Sequence, residues 1–430
     1  MRSRRIVPLV ILAAVALVAA GGAWAAPVSL TLWTHTHAPA NAYITKLIAQ
    51  YQSANPGVKI AYEPAADNNT YEDKVLTALA SGGGPDIFNE GLSSMYTFAG
   101  LGQLAEVTPD VLKAMGYSSL AAFKNDYIPG IIDKLLYQGK LYSVYREFNI
   151  FGLMLNKSAF KRAGLDAAKD YPRTWGDMLL LAKRLTIWDG DKLVQTGMYL
   201  PQWGADWTFI PMQSLFLQNG ASVLGADGKS AITSPASMKT FSYFRSLARA
   251  ENNAPIKYAD DVWARFALGD VAMYVASTWT MPLLKDQAKG DARFSPSNFM
   301  VVPYPKVPGA DRVHNPIQAL VWSVNARSAD VAASWKFVQW MTSGARAVGW
   351  YNDVGYLLPT KAMMDMGKKD ADVAKFMDLA KDADVLFANP KYNEIGAAVY
   401  SAWQASLTTD NDLGTILATA DKQINDALSQ

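Results

Sequence analysis

The stretch Tyr71–Phe88, YEDKVLTALASGGGPDIF, constrains the fold more than any other part of the chain. Tyr71, Val75, Leu76 and Leu79 recur at helical spacing, which predicts an amphipathic helix docked on an apolar surface. Ser81-Gly82-Gly83-Gly84-Pro85 stops that helix, because glycine accepts the left-handed cap and proline cannot continue the turn. Asp86-Ile87-Phe88 then begins a short buried strand, and Asn89-Glu90-Gly91 leaves its C-terminal end. Open α/β sheets bind ligands at that end, which makes Asn89 and Glu90 candidate contacts.

The preceding residues extend the pattern. Val28–Trp33 alternates as a strand and runs into the polar turn Thr34-His35-Thr36-His37. Ile44, Leu47, Ile48 and Tyr51 follow at helical spacing, and Val58–Tyr62 is the next strand. The order β-α-β-α-β predicts an α/β chain with a doubly wound, parallel sheet. A chain of 430 residues, 50% of them hydrophobic, has material for two such units.

The first 25 residues read as an export signal: Met1–Arg5 is basic, Ile6–Ala20 apolar, and Ala23-Trp24-Ala25 has the small-x-small form of a cleavage site. The mature chain is expected to begin near Ala26, in the periplasm. Without Arg2, Arg4 and Arg5 the count is 40 − 3 = 37 basic against 38 acidic residues, which argues against a nucleic-acid partner. The chain has no cysteine, so disulfides, thiolate chemistry and thiolate metal sites are excluded.

Further along, Gly139–Tyr145 and Phe151–Leu155 read as strands, with Arg146-Glu147-Phe148-Asn149 stranded between them. Thr174-Trp175-Gly176-Asp177 is a capping box that opens a helix. Tyr199–Trp207 is an aromatic loop carrying Trp203, Asp206 and Trp207, and Val271–Ala276 leads into Ser277-Thr278-Trp279. Gly355–Pro359 reads as an extended connection, and residues 360–430 read as helical.

Together these segments resemble the extracellular solute-binding proteins of bacterial ABC transporters, in the carbohydrate-binding class related to maltose-binding protein. LTLWTHT, NPGVKI, ALASGGGPDIF, GKLYSVYREFNIFGLMLNK, RTWGDMLLLAKRL, FALGDVAMYVASTW, SVNARSADVAASWKFVQWMTS, GYLLPTKA and DKQIND carry the resemblance, in that order. It implies a two-lobed α/β protein whose lobes close over a ligand by hinge motion. Three interlobe crossings are implied near Glu147–Gly152, Pro316–Trp322 and Gly355–Pro359. The N-terminal lobe would be residues 26–148 plus 321–355, and the C-terminal lobe 149–320 plus 356–430. The implied partners are a carbohydrate and the membrane permease subunits of an importer, for a monomer without a cofactor.

A sugar presents hydroxyls at its rim and C–H faces above and below, so its site needs aromatic platforms and directional polar groups. By position the candidates are Trp33, His35, Asn89, Glu90, Arg146, Glu147, Asn149, Trp203, Asp206, Trp207, Trp279 and Tyr356. Arg146, where relatives carry proline, points to an acidic or phosphate-bearing ligand unless Glu147 neutralises it. His35 and His37 form a weak metal pair, since the only other histidine is His314. His37 fits a surface turn better than a ligand contact. Polyamines are a further alternative solute. A glycoside hydrolase would need two carboxyl groups across a scissile bond, and no signature positions Glu90, Glu147 or Asp206 as such a pair.

Overall fold

A computed structural model describes residues 27–66, 68–201, 205–249 and 261–430. The export signal and Trp203 lie outside them, as do the side chains of Asp206 and Trp207.

The helix expected from Tyr71–Leu79 forms as Asn68–Ala80, with Tyr71, Val75 and Leu79 buried. Its end is a Schellman turn: Gly83 N–H donates to Ala78 O, Gly82 N–H to Leu79 O, and Gly82 has φ of 83°. The left-handed φ is what favours glycine here; a Cβ would also lie 2.5 Å from the Arg327 guanidinium, a flexible group that can swing aside.

The chain builds two sheets. In the first, Val28–His35 lies parallel to both Val58–Ala66 and Ile87–Gly91, as the β-α-β-α-β order predicts. Asn315–Val324 then adds antiparallel to Ile87–Gly91, and Ser143–Ile150 adds antiparallel to Asn315–Val324. The second sheet runs Phe299–Val302, Gly152–Asn156, Val271–Ala276, Lys192–Met198 and Ile187–Asp189. Both sheets are therefore mixed. The capping box at Thr174 is present, with the Thr174 and Asp177 side chains each accepting from the other residue's backbone N–H.

Each sheet has its own hydrophobic core, the first holding Trp322, Trp335 and Trp350, the second Trp175 and Trp403. The chain passes between them three times. Ser143–Ile150 gives way at Phe151 to Gly152–Asn156 in the second sheet. The return falls just before Asn315, where the long strand starts. The third passage corrects the sequence expectation. Residues 356–383 pack in the first core, not the second, and the chain leaves only beyond Asp384. Gly355–Pro359 is held to the first unit because Phe148 N–H donates to Leu357 O and Ile128 N–H to Pro359 O.

The passages are pinned at Asp384. Its carboxylate lies 2.5 Å from Lys134 Nζ and 2.9 Å from His314 Nδ1, while its carbonyl accepts from Gln213 Nε2 of the second unit.

Candidate functional site

Between the two cores lies a cavity of about 580 Å³. The first unit contributes His35, Thr36, His37, Glu72, the turn Gly91–Ser94, Glu147, Asn149 and Tyr356; the second contributes Phe209, Gln213, Phe387, Tyr392 and Asn393. Gln318, on the long strand, faces the same space.

The site is assembled at strand ends. His35 closes the first strand and is 6% exposed. Asn89 holds it: Oδ1 accepts from the His35 backbone N–H, which turns the amide nitrogen toward Nδ1 at 3.0 Å. Nδ1 therefore accepts, and the ring proton sits on Nε2. Burial, then the nearby Arg146 charge, lowers the His35 pKa to about 3, so the ring is neutral at physiological pH. His37 is lowered by the same two causes. Its ring stacks on Tyr356 at 5.4 Å, and Tyr356 stacks in turn on Trp350 at 6.3 Å. The hydroxyl of Tyr356 meets His37 Nδ1 at 3.0 Å and interacts with both Glu147 and Arg146.

Arg146 is not in the cavity wall. A β-bulge opposite Leu320–Val321 makes it the extra residue between Tyr145 and Glu147. Its side chain enters the first core fully buried, 5.4 Å from the ring of Trp322, 5.9 Å from Trp350 and 5.5 Å from Tyr356. Cation–π contacts and the Glu147 carboxylate, 3.9 Å away, stabilise the charge. Burial raises the Glu147 pKa, against the opposing pull of Arg146. Glu147 Oε1 in turn accepts from Asn149 Nδ2 at 2.6 Å.

Of the residues singled out in the sequence, the structure thus brings His35, Glu147, Asn149 and Tyr356 to the cavity. Trp33 is not there: it packs against the first core beneath Lys74, whose Nζ is 4.6 Å from the ring. Trp279 lies edge-on to Phe151 and Trp263 in the second core. Asn89 and Glu90 are covered because Asn315–Val324 pairs with them, placing Trp322 opposite Asn89 and Val321 opposite Glu90. Glu90 is a core residue whose pKa is raised well above the carboxylate range by burial, with Ser323 Oγ donating to it.

Several wall residues were not read from the sequence. Glu72 accepts from Gly91 N–H and Ser94 Oγ, which folds the Gly91–Ser94 turn over the cavity. Phe387 and Tyr392, whose rings stack 4.7 Å apart, flank a loop in a region expected to be helical. Asn389-Pro390 was the available signal for that break. His37, assigned to a surface turn, faces the cavity as well.

The buried His35 and half-buried His37, two carboxylates and aromatic faces thus line the space between the two units. The sequence matches the bacterial extracellular solute-binding protein family over residues 46–377, and the chain belongs to that family. It is 26% identical over 351 residues to a putative ABC transporter periplasmic-binding protein of Escherichia coli, covering 78% of this chain and 74% of the relative. It is 22% identical over 365 residues to the sn-glycerol-3-phosphate-binding periplasmic protein of the same organism, covering 79% and 76%. The fold superposes on the sugar-binding protein MalE of Xanthomonas citri with a TM-score of 0.79 at 18% identity, covering 94% of this chain and 98% of that one. A tagatose-bound ABC transporter solute-binding protein of Thermotoga lettingae gives 0.74 at 21%, covering 93% and 100%. Among the described residues no helix is long and apolar enough to cross a membrane.

Proposed function

We propose that this protein captures a mono- or oligosaccharide for an ABC importer, without turning it over. The observation that carries the reading is the composition of the cavity wall: Phe209, Tyr356, Phe387 and Tyr392 offer flat apolar faces, and Glu72, Glu147, Asn149, Gln213 and Gln318 offer directional polar groups. That combination fits C–H faces and hydroxyls. The tagatose named for the Thermotoga neighbour belongs to the same chemical class.

The two lobes of the proposal are residues 26–150 plus 315–384 and residues 151–314 plus 385–430. A ligand that touches both favours the closed form through its higher affinity for that form. The closed monomer then docks on the permease, and the export signal is removed near Ala25 on the way out. Thermal-shift titration against neutral mono- and oligosaccharides tests the reading. A melting temperature that climbs with sugar concentration supports it, and a flat response across the panel refutes it.

A further inference from the structure

The cavity wall carries an asymmetry that the composition of the site does not announce. Among the described residues that line it there is no lysine and no arginine, while two carboxylates, Glu72 and Glu147, are present. Arg146 is fully buried behind the wall and faces Glu147. Its charge is spent on a neighbour inside the protein.

Asn149 completes the arrangement. The residue is 5% exposed, and its Nδ2 donates to Glu147 Oε1. A carboxylate only accepts, so the nitrogen must face Glu147 and the carbonyl oxygen must face away. Oδ1 has no hydrogen-bond partner among the described residues. A buried acceptor in that condition costs free energy unless something donates to it.

We propose that the Arg146–Glu147–Asn149 series makes this cleft select a neutral ligand that donates a hydroxyl to Asn149 Oδ1, and reject phosphorylated or carboxylated sugars. This rests on the solute-capturing reading above and specifies its ligand. Arg146 acts through Glu147 as a positioning residue. By cancelling the Glu147 charge it lets a carboxylate sit in the wall, and that carboxylate locks the Asn149 amide in its accepting orientation. The anionic group of a phosphate ester or uronate offers acceptor oxygens, beside the uncompensated Glu72 carboxylate and with no arginine or lysine among the described wall residues to receive it. The similarity to a glycerol-phosphate-binding protein therefore does not extend to its ligand's charge.

The test is isothermal titration of the full mature chain with matched pairs: glucose against glucose 6-phosphate, galactose against galacturonate, and maltose and mannobiose against glycerol 3-phosphate. The expected result is a neutral sugar binding at least tenfold tighter than any anionic probe. Asn149→Ala should weaken that sugar about tenfold, the loss of one hydrogen bond. Glu147→Gln leaves the Arg146 charge uncompensated and frees the amide to turn, so it should narrow the discrimination, with anionic probes gaining affinity while the neutral sugar loses it. A merely structural role for Glu147 would weaken both classes together. An anionic probe binding the wild type as tightly as its neutral partner would overturn the selectivity and leave the capture reading intact. No binding by any probe would overturn both. The wild-type comparison decides the matter even where a variant fails to fold.

Discussion

Asn89 grips His35 at two points, accepting from its backbone N–H at 3.2 Å and lying 3.0 Å from its Nδ1. A strand-end histidine, ordinarily free to turn, is thereby fixed in one tautomer at the cavity wall. Its neutrality makes it a stability determinant that depends on pH.

The His35 pKa, about 3 in the folded protein against 6.5 when unfolded, means that between those values the unfolded chain binds more protons. The stabilisation is complete above pH 6.5 and is lost as pH falls toward 3, at about 1.36 kcal/mol per pH unit of gap. Urea unfolding of wild type and His35→Asn between pH 7 and 4 should show a shallower decline in the variant. Parallel declines would refute the assignment.

Glu90 runs the other way. Its folded pKa is raised by burial, so the folded protein holds the extra proton, and stability falls as pH rises from the ordinary carboxylate range toward the folded value. Glu90→Gln keeps an acceptor for Ser323 Oγ without the ionisation. The variant should therefore gain on wild type as pH rises from 5 to 8, read as the difference between their unfolding free energies. A constant difference would show that Glu90 does not titrate there.

The aromatic residues divide into two sets. Trp33→Ala and Trp279→Ala should each cost about 2 kcal/mol of stability and leave sugar affinity unchanged, since both pack on the cores. Phe387→Ala removes a face of the cavity and should weaken binding by about 2 kcal/mol, roughly thirtyfold in Kd. Calorimetry on the three variants separates the sets, and the reverse ranking would relocate the site.

Asp384→Ala leaves Lys134 and His314 without their shared carboxylate at the third passage between cores. A loss of about 2 kcal/mol in unfolding free energy is expected, as for a partly buried charge deprived of its partner. Burial alone would raise the Asp384 pKa, but Lys134 and His314 outweigh it and lower it. Its contribution is therefore present above the ordinary carboxylate range and disappears as pH falls through the folded value. Chemical denaturation of the variant at pH 7 and near pH 2, well below the ordinary aspartate value of 3.8, checks both statements, and a loss of equal size at the two pH values would contradict the second.

Local rules served the sequence reading well wherever the signal was local. The glycine stop after Ala80, the Thr174 box and the parallel start of the first sheet all follow from neighbours in the chain. The site was only partly legible because its wall depends on pairing between distant strands. Nothing near Asn89 or Glu90 shows that Asn315–Val324 will cover them, nor that a bulge will draw Arg146 inward while Glu147 and Asn149 stay at the wall. The third passage was misplaced for a similar reason. Residues 361–382 are mostly helical and amphipathic, and amphipathicity does not say which of two cores receives the apolar face.

The long strand Asn315–Val324 also bears on how the chain acquires its structure in time. The first sheet is missing an inner member until that strand arrives, after every strand of the second sheet has been made. Ser143–Ile150 then has no partner in its sheet and Glu90 no cover, so the N-terminal part of a growing chain holds an unfinished sheet with an open edge. Pairing across so large a sequence separation is slow. The two units are thus expected to mature together and late, and a chain truncated before Asn315 should be captured by proteases or aggregate rather than persist as half a protein.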